Sequence, residues 1–439
     1  MKAEKKALVL AGGGSRGAYQ IGVWQALREL GYDFSIITGA SVGALNGAMI
    51  AQGDFDKAKW LWEHITLEQV LDIKLPEGFE KLGEREQAQV FLREAIRGGG
   101  AGYEALKSLL TECLDEQAVR DSQMKLGIVT VKIPGYTPCT LFQRDIPEGK
   151  MIDYLLASAA CFPAMKSYSI DGESYIDGGY YDNLPIELAQ KQGATEILAV
   201  DVDSIGLRRR YDKKKSKVHV LHPKEDLGFF MKFEPMQAKS NIQFGYFDTL
   251  KYFGKLDGIR YTFQKGELTK SHLQLRPKAA ALSKKLGVYL GGKSRSPLES
   301  LARFSAAKAI RKHQRRETTR RSIFSCALEF CAQVYGLRAD KLYTASEMHG
   351  QIKAFFTKSY QNFDRKMETV FSALKGERQA VGEARELLKN LDQKTLVCFS
   401  YSLLEESMKD HSKLSLFWMA FCCIPTECLC ALYLSLLFS

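Results

Sequence analysis

Three short patterns in this 439-residue chain join residue types that could do chemistry. Gly39-Ala40-Ser41-Val42-Gly43 is a G-x-S-x-G between a β-branched run and a helical pattern. Small flanking residues permit a sharp turn there, which lifts the serine hydroxyl to the positive end of a helix. A serine that merely caps the helix is the structural alternative. Gly12-Gly13-Gly14-Ser15-Arg16-Gly17 also follows a strand and precedes a helix, so several amides and a helix N-terminus can face an anion. Its Gly12-x-Gly14-x-x-Gly17 spacing fits a dinucleotide fingerprint, but that reading needs an acid at the end of the second strand, where Thr38-Gly39-Ala40-Ser41 has none. Tyr175-Ile176-Asp177-Gly178-Gly179 puts a carboxylate on a tight glycine turn; Asp153, Asp171 and Asp182 compete nearby without paired glycines.

A serine, a carboxylate and an amide-rich loop are the parts of an acyl hydrolase. A full triad also needs a histidine after the acid, and only His219, His222 and His272 follow Asp177 in the first domain. The serine turn comes after only the second strand, earlier than in an ordinary α/β-hydrolase. The order G-G-G-x-R-G, G-x-S-x-G, D-G-G resembles the patatin-like phospholipases, serine lipid acyl hydrolases with a Ser-Asp dyad. Ala157-Ser158-Ala159-Ala160-Cys161-Phe162-Pro163 is similar to the stretch before that family's Asp, and the resemblance runs from about Lys6 to Tyr252, with a weaker Gly245-Tyr246-Phe247-Asp248-Thr249 near its end. It implies Ser41 as nucleophile, Asp177 as general base, and Gly12, Gly13 and Gly14 as oxyanion hole with Arg16 in support. It implies ester hydrolysis of phospholipids or related lipids without metal or cofactor. Two other readings stay open: a nucleotide-binding oxidoreductase using the same glycine turn, and a non-catalytic scaffold that binds membranes or partners.

The elements that must position these groups alternate as in a parallel sheet with helices on both faces. Strands are expected at Ala7–Leu10, Ser35–Thr38, Leu126–Ile133, Ile197–Val202 and Val218–His222, with helices from Ala18 to Leu30, stopped by Gly31, and from about Ser41 to Gln52, stopped by Gly53. Residues 75–111 are polar and glycine-broken, read as a lid or surface insertion. A Gly/Ser/Pro stretch at 291–297 suggests that an α/β patatin-like domain, 1–290, ends there and that a mainly helical region, 298–439, follows.

Composition excludes wholesale disorder and a polytopic membrane protein, with 45% hydrophobic and 26% charged residues. The net charge of +11 favours anionic partners. The basic run Arg303–Arg321 reads first as a solvated helix face and next as a contact for an anionic membrane surface. It carries no nucleic-acid motif, so nucleic acid is not expected. The ten cysteines lack metal-ligand spacing, and most read as buried thiols of a cytoplasmic protein, with peripheral membrane binding also open. Pro425-Thr426-Glu427 splits the apolar tail from Leu414 to Phe438, which favours a buried or interfacial helical hairpin over a membrane span. No oligomeric state follows from these patterns.

Overall fold

The structure, a computed structural model, describes residues 5–286, 294, 296–314, 320–363 and 381–439. The chain divides into two compact units, Met1–Phe253 and Gly254–Ser439. The first begins β1 (Lys6–Leu10), α1 (Ala18–Glu29), β2 (Ile36–Ala40), α2 (Val42–Gln52) and α3 (Phe55–His64), then α4 (Glu84–Arg97), α5 (Glu104–Cys113) and α6 (Glu116–Asp121). It continues β3 (Lys125–Ile133), β4 (Thr137–Phe142), α7 (Met151–Ala159), β5 (Tyr168–Ile170) and β6 (Glu173–Asp177), closing with α8 (Ile186–Lys191), β7 (Glu196–Val200), β8 (Lys217–Leu221) and α9 (Pro235–Tyr252).

The sheet order is β5-β6-β3-β2-β1-β7-β8, with β4 paired to β3. The strands from β3 to β8 along this path run parallel, and β4, β5 and β6 are antiparallel additions. Successive side chains on a strand face opposite ways, so the unbroken burial of β2 means that both faces of the sheet are covered. The five strands expected from sequence are present, and the antiparallel set that carries Asp177 was not anticipated. Its strands are short or half-exposed, so they lack the continuous apolar run of a buried parallel strand.

That set makes the site. β4 occupies one edge of β3 over residues 127–132, so the other edge is shared. Its first half pairs with β2, ending at Ala40 opposite Val129, and its second half pairs with β6, starting at Thr130 opposite Asp177. Two strands that are remote in sequence therefore end beside each other, one leading into Ser41 and the other finishing at Asp177. Behind the sheet, α1 and α9 cross at glycines. A Cβ on Gly22 would strike the Ile242 carbonyl, and one on Gly245 the Tyr19 carbonyl. Tyr19 Oη then donates to Asp248 Oδ2 at 3.0 Å, which explains the Gly245–Asp248 spacing as a packing feature.

Two expectations change. Residues 75–111 are not a polar excursion: Phe79, Phe91, Ala95, Leu106 and Leu110 are buried in the first unit's core, because α4 and α5 hide an apolar stripe in a polar average. The division falls at Phe253–Gly254 rather than near 291–297. The helix Glu267–Lys285 buries Leu268 and Leu275 in the second core with Tyr261 and Phe263, so this stretch belongs to the helical unit. The glycine-rich stretch itself lies mostly outside the described residues, as do residues 315–319 of the basic run. The second unit also holds a small three-stranded sheet, Leu256–Asp257, Thr262–Gln264 and Leu342–Tyr343.

The apolar tail forms two helices, Leu414–Cys423 and Pro425–Phe438. Phe417, Met419, Cys430 and Leu434 are fully buried in the second core, so the tail is a hairpin whose apolar faces are already covered and not a free insertion element. Among the described residues no helix is long and apolar enough to cross a membrane. None of the ten cysteines forms a disulfide.

Candidate active site

Ser41 joins β2 to α2 with φ 52° and ψ −133°, a conformation that L-residues seldom hold. The turn is tight because Gly39 and Gly43 lack side chains: a Cβ on Gly39 would strike the Gly43 carbonyl, and one on Gly43 the Leu10 carbonyl. The Ser41 hydroxyl makes no capping bond to α2, which removes the simple N-cap explanation. Its backbone N–H donates to Ser158 Oγ at 3.0 Å, and Ser158 Oγ donates to the Val129 carbonyl at 2.7 Å. Ser158, from α7, thus pins the turn to β3.

Asp177 is 6% exposed, and the Ser41 hydroxyl beside it favours its charged form. The Gly179 amide donates to Asp177 Oδ1 at 2.7 Å. Burial raises its pKa to about 6, against the smaller lowering effects of the Ser41 hydroxyl and the Gly179 amide. The competing carboxylates are engaged elsewhere. Asp182 Oδ1 accepts the Leu184 and Arg209 amides at 3.3 Å each, Asp153 Oδ1 accepts the Tyr168 hydroxyl at 2.6 Å, and Asp171 pairs with Lys150 at 2.9 Å.

The glycine loop lies against the serine: a Cβ on Gly12 would come 2.8 Å from Ser41 Cβ. Its members divide into two kinds. The Gly12 amide donates to the Asn183 carbonyl at 3.2 Å, so it is not free for an oxyanion. The amides of Gly13 and Gly14 have no acceptor among the described residues, and both glycines line the adjoining cavity. Arg16 does not line that cavity; its guanidinium donates to the Gly228 carbonyl at 2.8 Å and the Asp203 carbonyl at 2.7 Å, bracing two loops. The sequence reading put Gly12, Gly13 and Gly14 in the oxyanion hole with Arg16 in support; here the Gly12 amide is engaged with Asn183, and Arg16 braces the loops of residues 203 and 228.

Sequence reasoning missed the clamp on this loop. The Gly12 carbonyl accepts from Asn183 Nδ2 at 3.4 Å and from Ser204 Oγ, and Asn183 Nδ2 also donates to Ser204 Oγ at 2.9 Å. In a trans peptide C=O and N–H point in opposite directions, so holding the Gly12 carbonyl fixes the direction of the Gly13 N–H. The one local signal was Asn183, six residues after Asp177; nothing in the sequence marks Ser204.

Ser41 and Asp177 open onto a cavity of about 490 Å³. Its walls are mainly apolar, including Met49, Leu61, Trp62 and Ile65, with Leu106, Leu109 and Leu110 from α5. Cys161 also lines it, and burial pushes its thiol up to about 12, with the Asp177 charge adding to the effect. No histidine lines the cavity. His222 Nδ1 lies 3.1 Å from Asp203 Oδ1, His219 packs against Tyr252, and His272 lies in the second unit. Asp201, Asp203 and His222 bring one donor atom each within 4.8 Å of one another. Asp201 is already gripped by Arg208 at 2.7 and 2.8 Å, which satisfies its charge without a metal ion.

The family model "Patatin-like phospholipase" matches residues 8–189, a span that includes the glycine loop, Ser41 and Asp177. Patatin-like phospholipase domain-containing protein 7 of Mus musculus is 28% identical over 207 residues, covering 45% of this chain and 14% of its own length. Lysophospholipase nte1 of Aspergillus terreus is 29% identical over 202 residues, covering 45% of this chain and 12% of its own. The match thus spans only a small part of these relatives. Among solved structures, VipD from Legionella pneumophila aligns at 14% identity over 96% of this chain and 92% of its own, with a TM-score of 0.36, too loose a superposition to carry any inference.

Proposed function

We propose that this chain, which carries a patatin-like phospholipase domain over residues 8–189, hydrolyses acyl esters of phospholipids or related lipids through a Ser41 acyl-enzyme with Asp177 as general base. The observation that carries the reading is the Ser41–Asp177 pair, side by side at the edge of an apolar cavity, next to two glycine amides without acceptors among the described residues. Relatives named as phospholipase and lysophospholipase support the substrate class.

Ser41 Oγ attacks the ester carbonyl as its proton passes to Asp177. The C–O bond then breaks and Asp177 returns the proton to the leaving alcohol, leaving an acyl-serine. Water attacks that ester as Asp177 takes its proton; the acyl–Oγ bond breaks, Asp177 passes the proton to Ser41 Oγ, and the acid is released. The Gly13 and Gly14 amides stabilise the oxyanion in both halves, at about 3 kcal/mol for each donor. The acyl chain lies along the apolar wall, where each buried CH₂ adds about 0.8 kcal/mol of binding.

Labelling with a serine-reactive fluorophosphonate, followed by mass spectrometry, tests the nucleophile. The expected result is one adduct on the peptide containing Ser41, absent from Ser41→Ala, together with release of fatty acid from a phospholipid. A folded protein that takes no label fits the non-catalytic scaffold instead.

A further inference from the structure

The loop between β7 and β8 is held in place, yet it keeps large apolar side chains in water. Ile205 is 94% exposed and Leu207 is 62% exposed, and both line the mouth of the Ser41 cavity. The backbone leaves them little freedom to turn inward. The Leu207 amide donates to the Gly179 carbonyl at 2.9 Å, and the Leu207 carbonyl accepts the Asn183 amide at 2.6 Å, so this residue is tied to both sides of the turn after Asp177. Arg208 grips Asp201 and also donates to the Ser204 carbonyl at 3.2 Å, while Arg16 holds the Asp203 carbonyl. Phe162, next to the cavity residue Cys161, is 47% exposed, and its carbonyl accepts the hydroxyl of Tyr180, another cavity residue.

Basic residues accompany this apolar rim. Arg209 places its guanidinium 4.4 Å from the centre of the Tyr181 ring, on the turn that follows Asp177. Arg210 is exposed, and so is Lys166, next to the cavity residue Met165. The other basic residues before β8 are a separate matter. Ser216 bonds to the Ala194 carbonyl beside the start of β7, so Lys213, Lys214 and Lys215 lie toward the opposite end of the sheet from Ser41.

We infer that the rim formed by Ile205, Leu207 and Phe162, with Lys166, Arg209 and Arg210, is the surface by which this chain docks on an anionic lipid bilayer. The inference rests on the lipid-hydrolase reading and assigns docking to the first unit, around the cavity mouth, instead of to the basic run at 303–321 and the apolar tail. Insertion of apolar side chains and attraction of basic ones to anionic head groups are the two signals that stable peripheral binding requires. Their place at the mouth gives the docked orientation a use: a lipid chain leaves the bilayer directly into the cavity, without crossing water.

The test is vesicle sedimentation of the full chain carrying Ser41→Ala, so binding is read without hydrolysis. The vesicles are phosphatidylcholine with and without phosphatidylserine. Ile205→Ser with Leu207→Ser should weaken binding to both kinds by roughly tenfold or more. Arg210→Glu with Lys166→Glu should weaken binding to the phosphatidylserine vesicles by about tenfold and remove most of its salt dependence. Unaltered thermal melting excludes misfolding, and in the active protein the ratio of vesicle hydrolysis to soluble short-chain ester hydrolysis should fall with binding. Unchanged vesicle binding in both variants overturns the inference, as does a parent protein that binds neither vesicle, in which case the rim faces a protein partner. Failure of the catalytic reading is seen separately, as absence of fluorophosphonate labelling and of soluble-ester hydrolysis.

Discussion

Asp177 in the first unit and Glu329 in the second are both buried carboxylates, and they meet opposite surroundings. Glu329 accepts the Ile259 amide at 2.7 Å and the Arg260 amide at 2.9 Å, and it lies 2.8 Å from His313 Nε2. One side chain thereby ties the turn after the small sheet's first strand to two helices, Pro297–Gln314 and Arg320–Val334. Asp177 accepts one amide and has the Ser41 hydroxyl beside it, and burial outweighs the lowering effect of both, so its pKa rises to about 6. A carboxylate with well-matched donors holds structure together. One left short of donors beside a cavity retains basicity for taking a proton.

The sharpest way to break this contrast is to neutralise each carboxylate. Asp177→Asn and Ser41→Ala should each lower kcat/KM by roughly 10⁴-fold or more, and the double variant should fall no further because the two act as one unit. Stability should move the other way for Asp177→Asn. Its folded pKa lies above the unfolded 3.8, so the charged form is disfavoured in the fold; stability is lost as pH rises from 3.8 through about 6. At pH 8 the variant should therefore gain stability, by about 3 kcal/mol at most, in chemical denaturation. Glu329→Ala should do the reverse and lose about 3–5 kcal/mol, since it strands buried donors. A stable Glu329→Ala, or a destabilised Asp177→Asn, would mean that the two sites do not differ as described.

A pH profile sharpens the same contrast. A base with a pKa of about 6 must be ionised to act, so kcat/KM should fall about tenfold per unit below that pH and level off above it. The absence of a catalytic histidine does not protect activity through pH 6.5, because burial has moved the carboxylate into the histidine range. The discriminating measurement is the profile of His219→Ala and His222→Ala, which should keep the same midpoint. Asn183→Ala and Ser204→Ala should each lower kcat by about ten- to a hundredfold with little change in KM, since they loosen the peptide that directs the Gly13 amide.

How much of this could be read from the sequence follows from how local each cause is. The serine turn, the glycine loop and the Asp177 turn are specified within a few residues by sterics, so Gly39, Gly43, Ser41 and Asp177 were legible one by one. The central parallel strands β1, β2, β3 and β7 were legible because they are mostly buried on both faces. The edge exchange on β3 was not, since it depends on a pairing between residues 130 and 177. The Gly12 clamp was hidden for the same reason, with partners 171 and 192 positions away. Arg16 carried the right chemistry for an anion but is used on two carbonyls, which only the positions of residues 203 and 228 reveal. In the tail, Glu427 sits in the first turn of its helix, where a negative charge suits the helix end, so an acid that argued against a membrane span also marks a helix start.

The smallest expected effect concerns the strain at Ser41 itself. With φ at 52° and ψ at −133°, the residue occupies a region where a Cβ is costly, and the fold holds it there through the Ser158 bond and the glycines on either side. Glycine adopts such angles without that cost, although it loses more backbone entropy on folding. Ser41→Gly should therefore be more stable than Ser41→Ala by about 1 kcal/mol, both being inactive, because alanine keeps the Cβ and glycine does not. Comparing two inactive variants removes the hydroxyl beside Asp177 from both and leaves backbone strain as the main difference. Equal denaturation midpoints would show that the turn is held without strain, and that the serine's exposure comes from packing of the glycines alone.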